Sequence, residues 1–181
     1  KKINYFFLFI VILLALIGYA VLYSAAGGNF DPWAKKHILR FLIFFILLII
    51  ISLINIKILY KYAYLIFFVF LILLFAVEIA GTFGLGAKRW IYIFGISIQP
   101  SELIKVTVIL ALARYYHDLR FDRLAKIRNI IIPSLIIFIP FLLIVSQPDL
   151  GTSLIILLLG IFIMFFVGIK IWKFFLVFFI T

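Results

Sequence analysis

The sequence predicts an all-α fold, a polytopic transmembrane helical bundle, and three of its features point to that class. Hydrophobic residues make up 69% of the 181 residues, whereas charged residues make up only 13%. Apolar runs of about 20 residues recur, which is the length that crosses a hydrocarbon core about 30 Å thick. A soluble domain of this size could not bury so much apolar surface. A transmembrane β-barrel would instead show short segments of alternating polarity.

Six complete spans and the start of a seventh follow one another along the chain. The apolar runs predict spans at 5–24, 37–54, 62–80, 100–116, 130–146 and 148–168, with an incomplete span at 174–181. A signal peptide is the alternative for the first run, but that run is long and lacks a small-residue cleavage site. We expect 1–181 to be one integral membrane domain, the N-terminal part of a longer protein that is cut inside a membrane helix.

The connections between spans differ in character. Residues 25–36 form a turn-rich loop with several glycines, and a tight turn carrying Lys57 and Lys61 is expected between spans two and three. Residues 84–105 hold the densest group of polar residues, and their first part is expected to be a glycine-rich loop. Pro140 is expected to kink the fifth span.

The net charge of +11 is interpreted as a topology signal and not as a sign of nucleic-acid binding. With the N-terminus inside, the cytoplasmic segments contain these basic residues: Lys1, Lys2, Lys57, Lys61, Arg114, Arg120, Arg123, Lys126, Arg128, Lys170 and Lys173. The opposite side contains only these: Lys35, Lys36, Arg40, Lys88 and Arg89. The bias predicts a cytoplasmic N-terminus and places 25–36, 84–105 and 146–149 together on the outer face.

Both glutamines of the chain are followed by proline. Gln99 and Gln147 each precede a predicted outward-facing helix start, with an acid, Glu102 or Asp149, in the first turn. Glu102 has the spacing of a capping-box acid after Gln99. Each motif alone is adequately explained as a good helix start, but two of them on one face favour a shared polar cavity.

Two further groups add charge to that cavity. Glu102 and Lys105 lie three residues apart, so they share a helical face, and ionisable residues within membrane helices are usually functional. Lys88, Arg89 and Trp90 could hold phosphate oxygens or could anchor the chain at the lipid headgroups. His37 and His117 are isolated, so no metal site is predicted, and no nucleotide-binding loop is present in the sequence.

Three motifs in the same order and register resemble the SEDS family of RodA, FtsW and SpoVE. The segments are Gly86-Ala87-Lys88-Arg89-Trp90-Ile91, Gln99-Pro100-Ser101-Glu102-Leu103-Ile104-Lys105 and Gln147-Pro148-Asp149-Leu150-Gly151-Thr152-Ser153. Residues 25–33 and 112–117 are more similar to RodA than to FtsW. Lys88, within the first segment, and Tyr92, directly after it, depart from the residues that relatives often carry there.

The resemblance implies a ten-helix membrane glycosyltransferase that polymerises lipid II into peptidoglycan for cell-wall elongation and rod shape. It implies a class B penicillin-binding transpeptidase and other elongation-complex membrane proteins as partners, and an active face outside the bacterial cytoplasmic membrane. The family's catalytic Asp would lie beyond Thr181, so the 181-residue chain alone is expected to be inactive. A divalent cation (Mg²⁺ or Mn²⁺) on the diphosphate is compatible with this chemistry, although no ligand set indicates one.

The expected substrate cavity contains residues from all of these groups. They are Lys88, Arg89, Trp90, Gln99, Glu102, Lys105, Gln147 and Asp149. A transporter or flippase of lipid II is the first alternative, and it would require polar residues deep in several spans. An FtsW-like polymerase of cell division and a non-enzymatic scaffold for the transpeptidase are the others.

Overall fold

A computed structural model describes residues 4–84, 87–93, 96–119, 128–169 and 172–173. Its helices, in chain order, are α1 (Tyr5–Ala25), α2 (Trp33–Leu53), α3 (Ile56–Ala80), α4 (Pro100–His117), α5 (Arg128–Ser146) and α6 (Leu150–Phe166). The strands between α3 and α4 are β1 (Thr82–Gly84), β2 (Ala87–Ile93) and β3 (Ile96–Ile98). The expected seventh span and most of the basic 120–128 loop lie outside the described residues.

The prediction of a helical membrane protein is confirmed. Within the described ranges, four helices are long and apolar enough to cross a membrane: Tyr5–Ala25, Trp33–Leu53, Ile56–Ile79 and Asn129–Ser146. The apolar helix Leu150–Phe166 is shorter. The exact limits of each membrane span, and the treatment of 1–181 as one domain, stay predictions.

The first compact unit ends at Ile56 and consists of α1 packed on α2. A polar contact between the two helices joins His37 Nε2 to the carbonyl oxygen of Ala15 at 3.1 Å. Gly18 makes room for this contact, because a Cβ atom there would lie 3.2 Å from the His37 ring. His37 therefore has a packing role between two helices.

The second unit begins at Lys57 and is built around α4. The buried residues of α4 recur every three or four positions, as a helix packed on one side requires. They are Pro100, Ser101, Ile104, Thr107, Val108, Ala111, Leu112 and Tyr116. Side chains of α3, α5 and α6 complete this core, among them Phe67, Leu74, Ile137 and Ile156. The core fixes the position of the α4 N-terminus, where the charged pair lies.

The start of α3 differs from the expected turn at Lys57 and Lys61. The helix begins at Ile56, so both lysines lie in its first turns. Arg114 of α4 explains the extension, because its guanidinium lies 5.3 Å from the Tyr60 ring centroid and 4.6 Å from that of Tyr64. These two tyrosines are one helical turn apart, and the Arg114 side chain also donates to the Lys61 carbonyl oxygen. Cation–π contacts of this kind stabilise the helical conformation of the segment.

The expected glycine-rich loop is instead a small antiparallel sheet, so that prediction was wrong. The strand order is β1-β2-β3, with Trp90 opposite Thr82 and Tyr92 opposite Ser97. The physical reason is the run from Arg89 to Ile93, in which aromatic and β-branched residues favour extended backbone. The glycines of this stretch concealed that signal in the sequence.

The contact between α5 and α6 generates a stability prediction. A Cβ atom at Gly160 of α6 would lie 2.9 Å from Cγ2 of Ile137 in α5 and closer still to other atoms of that side chain. We expect Gly160→Ala to lower the free energy of unfolding by about 1–3 kcal/mol, the usual cost of overpacking. Unfolding of the detergent-solubilised protein in an SDS titration measures the change.

Gly151→Ala is the matched control, because the nearest atom to its added methyl would be Asp149 Oδ1 at 4.0 Å. Ile137 is fully buried, so Ile137→Ala should itself cost stability, but the double variant should lose less than the sum of the losses of the two single variants. Equal stability of the two glycine variants would show that the helices are not in close contact at Gly160.

Candidate functional site

The predicted site residues gather where the chain enters α4 and α6. Gln99 is the N-cap of α4 with Pro100 at the first helical position, as predicted. The α6 prediction was wrong by two residues, because Asp149 and not Gln147 is the N-cap. A carboxylate accepts the free N–H groups of a first turn better than a glutamine side chain does, which explains the later start. Strand β2 contacts α4, so the sheet borders the same region.

Asp149 is the centre of the polar contacts. Its Oδ1 accepts from the backbone N–H of Thr152 at 3.2 Å, and its Oδ2 accepts from the Thr152 hydroxyl at 2.9 Å. The amide of Gln99 donates to the same Oδ2 at 3.4 Å. One carboxylate thus caps α6 and joins it to the start of α4.

Arg89 brings the sheet to the same carboxylate. Its Nε lies 3.9 Å from Asp149 Oδ2 and donates to the carbonyl oxygen of Gln147 at 3.3 Å. Its Nη2 donates to the carbonyl oxygen of Pro148. Side-chain exposure is 26% for Arg89 and 12% for Asp149, so the pair is shielded from most of the solvent. Strand β2 is therefore held against the turn between α5 and α6.

Glu102 and Lys105 form the expected pair on α4. Lys105 Nζ donates to Glu102 Oε2 at 2.8 Å, and the Glu102 side chain is 54% exposed while that of Lys105 is 19% exposed. The capping box predicted for Gln99 and Glu102 does not describe these side chains, since Gln99 makes no side-chain cap bond and Glu102 pairs with Lys105. The amide of Gln99 is engaged by Asp149, which explains the difference. Within this pair the Glu102 carboxylate is the accessible group, and the Lys105 ammonium beside it is partly shielded.

Gln147 connects the site to α3. It is only 3% exposed, and its side-chain Nε2 donates to the carbonyl oxygen of Leu74 at 3.0 Å. Next to it, the Ser146 hydroxyl is 3.3 Å from the Glu78 carboxylate, also in α3. The turn between α5 and α6 is therefore held by hydrogen bonds to α3 on one side and by the Arg89 contact from strand β2 on the other.

The remaining predicted residues are placed less completely. Lys88 lies in β2 opposite Phe83, and its side chain lies outside the described part of the structure. Trp90 is half-buried in the same strand. Of the three segments expected on the outer face, 84–105 and 146–149 come together, whereas 25–36 belongs to the first unit. The catalytic Asp expected beyond Thr181 stays a prediction.

Two contributors were not singled out as site residues from the sequence. Thr152 completes the Asp149 contacts with its N–H and hydroxyl, and Leu74 supplies a backbone carbonyl to Gln147. The Asp-x-x-Thr spacing is a recognisable capping signal for Thr152. A backbone carbonyl has no sequence signal. Within the described ranges, no group of three or more His, Cys, Asp or Glu side chains could hold a metal ion.

Comparison with protein families and curated proteins gives a consistent result. The sequence model of the FtsW, RodA and SpoVE family, described as "Cell cycle protein", matches residues 4–181. The peptidoglycan glycosyltransferase MrdB of Escherichia coli K12 is 32% identical over 166 residues, covering 91% of this chain and 44% of that protein. The probable peptidoglycan glycosyltransferase FtsW of Wigglesworthia glossinidia brevipalpis is 33% identical and is covered to 45%. The chain thus spans less than half the length of these relatives.

Solved structures share the fold. RodA, the rod shape determining protein of Thermus thermophilus, superposes with a TM-score of 0.78 at 23% identity, over 98% of this chain and 59% of that one. A chain from a structure of a peptidoglycan synthase complex that coordinates polymerization and crosslinking gives a TM-score of 0.74 at 26% identity. It covers 85% of this chain and 44% of that one.

The buried Gln147 contact yields a testable prediction. Gln147→Glu removes the N–H donor and sets a carboxylate against the Leu74 carbonyl oxygen, so we expect a loss of about 1–3 kcal/mol in the free energy of unfolding. Unfolding of purified protein in detergent measures it. Ser146→Ala is the neighbouring control and should cost less, because the Ser146 hydroxyl is exposed. A Gln147→Glu variant as stable as the wild type would exclude the contact with α3.

Proposed function

Because the chain belongs to the FtsW, RodA and SpoVE family of cell cycle proteins, we propose that the whole protein is a peptidoglycan glycosyltransferase that polymerises lipid II. Its relatives from E. coli and Wigglesworthia are named for that activity. The observation that carries the proposal is the Glu102–Lys105 ion pair at the start of α4. It lies next to the point where a hydrogen bond from Gln99 to Asp149 connects the N-termini of α4 and α6. An accessible ion pair at the end of a membrane helix is a suitable place for a charged lipid-linked substrate.

The proposed chemistry assigns roles to the charges. Lipid II carries its sugars on a diphosphate, which is the leaving group when the next sugar hydroxyl forms the new glycosidic bond. Lys105 supplies positive charge for the diphosphate, Glu102 orients that ammonium, and Lys88 adds charge from the strand. Trp90 and Gln147 form part of the wall of the proposed cavity. The Asp carboxylate that would act as the base, taking the proton from the attacking hydroxyl, is assigned to the part of the protein beyond Thr181.

The proposed setting is the bacterial cytoplasmic membrane, with the N-terminus in the cytoplasm and the site on the outer face. The asymmetric distribution of Lys and Arg supports this orientation. A class B penicillin-binding transpeptidase is the proposed partner, together with other membrane proteins of the elongation complex. The likeness to a chain of a peptidoglycan synthase complex supports a partner of this kind. The similarity of residues 25–33 and 112–117 to RodA supports elongation over division.

The test uses the full-length protein with its transpeptidase and lipid II. We expect Glu102→Ala and Lys105→Ala each to lower glycan polymerisation by at least about a hundredfold, because an electrostatic contact to a developing charge is worth two to three orders of magnitude. Gel analysis of glycan strands measures the activity, and membrane fractionation checks that each variant still inserts.

Asp31→Ala and Lys35→Ala are the matched controls, since these residues form an ion pair of 3.3 Å whose side chains are 66% and 64% exposed in the first unit. They should polymerise normally. Normal polymerisation by both α4 variants would contradict the site. Movement of lipid II across vesicle membranes without glycan formation by the wild type would favour a flippase.

A further inference from the structure

We propose that Arg89, Gln99 and Asp149 position the start of α4 and do not themselves bind substrate. We name this group the Arg89–Asp149 latch; it comprises the three side chains and the carbonyl oxygens of Gln147 and Pro148. The proposal rests on the glycosyltransferase function above and, among these side chains, leaves Glu102 and Lys105 as the charges that contact the substrate. It reassigns three residues that the sequence places in the substrate cavity.

Most of the hydrogen-bonding capacity of the Asp149 carboxylate is used within the protein. Three donors lie within hydrogen-bond distance of it, two from Thr152 and one from Gln99, and Arg89 Nε approaches at 3.9 Å. A carboxylate has about four acceptor sites. Three of these sites are filled, and with a side chain only 12% exposed Asp149 lacks the access that a substrate contact would need.

One edge of the Arg89 guanidinium is already engaged within the protein. Arginine binds phosphate through two parallel N–H groups on one edge of the guanidinium. In Arg89 the edge formed by Nε and Nη2 faces the carbonyl oxygens of Gln147 and Pro148. To bind a diphosphate by this edge, Arg89 would have to release strand β2 from the turn between α5 and α6.

The latch is connected to the Glu102–Lys105 pair by a short stretch of chain. Gln99 is the residue before α4, and its carbonyl oxygen accepts from the N–H of Glu102 at 3.1 Å. Lys105 follows within the next turn and bonds Glu102. Because Asp149 holds the Gln99 side chain, it fixes the direction in which α4 begins. A change at Asp149 therefore reaches Glu102 and Lys105 through Gln99.

Helix capping alone does not explain the latch. Asn caps a helix about as well as Asp, because one side-chain oxygen accepts the N–H of the first turn. The negative charge of Asp149 is required only by its partners outside α6, Arg89 in particular. Asp149→Asn therefore separates the cap from the latch, and Arg89→Gln removes the same charge pair from the other side.

The first experiment is a double-mutant cycle in the full-length protein with its transpeptidase and lipid II. We expect Arg89→Gln and Asp149→Asn each to lower kcat by about tenfold, with KM for lipid II unchanged, and the double variant to be no slower than the worse single variant. If Arg89 binds the diphosphate, Arg89→Gln raises KM, and the fold-losses in kcat/KM of the two single variants multiply in the double variant. That result overturns the proposal.

The second experiment measures position without activity. In the full-length protein, with any cysteine beyond residue 181 replaced by serine, spin labels can be placed at Leu103→Cys on α4 and Leu154→Cys on α6, both exposed positions in a segment that contains no cysteine. We expect the distance distribution between the labels to broaden in Arg89→Gln and in Asp149→Asn, to broaden no further in the double variant, and to stay narrow in Gly151→Ala. An unchanged distribution in the single variants overturns the positioning role.

The two readouts separate the two proposals. A wild-type protein that forms no glycan strands, while the distributions still broaden as expected, contradicts the glycosyltransferase function and supports the latch. Glycan strands from the wild type with unchanged distributions contradict the latch and support the function.

Discussion

The shared carboxylate of Asp149 is the contact on which the polar end of the second unit depends. It accepts the Thr152 N–H in the first turn of α6, accepts a hydrogen bond from Gln99 at the start of α4, and attracts Arg89 of β2. Each of these partners belongs to a different element, and none of the three elements contacts the others through a comparable charged group among the described residues. Buried polar groups cost free energy unless they are paired, so this arrangement has one preferred geometry.

That single geometry is supported by the apolar core beneath it. The packed face of α4 fixes the direction of the helix axis. Gly160 has no side chain, so the backbone of α6 can lie directly against the Ile137 side chain of α5. Helices in contact with lipid gain little from the hydrophobic effect, so close packing and hydrogen bonds must hold them together. The core sets where the helices lie, while the Asp149 contacts set where they begin.

The sequence predicted the parts of this structure that depend on near neighbours. Apolar run lengths predicted the helices, Pro100 predicted the start of α4, and the three-residue spacing predicted the Glu102–Lys105 pair. The start of α6 was misplaced because two candidate caps, Gln147 and Asp149, lie two residues apart and the better acceptor prevails.

What could not be predicted depends on pairs distant in sequence. Arg89 and Gln147 are 58 residues apart, and Gln99 and Asp149 are 50 apart. Without these pairings, Arg89 is read as a free cation beside glycines, and the strands around it are read as a loop. The aromatic and β-branched residues of β2 carried a strand signal that composition alone did not reveal.

Two prolines inside α5 influence how far the turn that carries Asp149 can move. Pro133 and Pro140 each remove one rung of the backbone hydrogen-bond ladder, so α5 bends more easily there than elsewhere. Ser146, at the end of α5, is about 9 Å along the helix from Pro140. A bend of about 20° at Pro140 would move that end by about 3 Å, more than a hydrogen bond can stretch. The turn carrying Asp149 can therefore keep its contacts only while the bend of α5 at Pro140 changes by less than this.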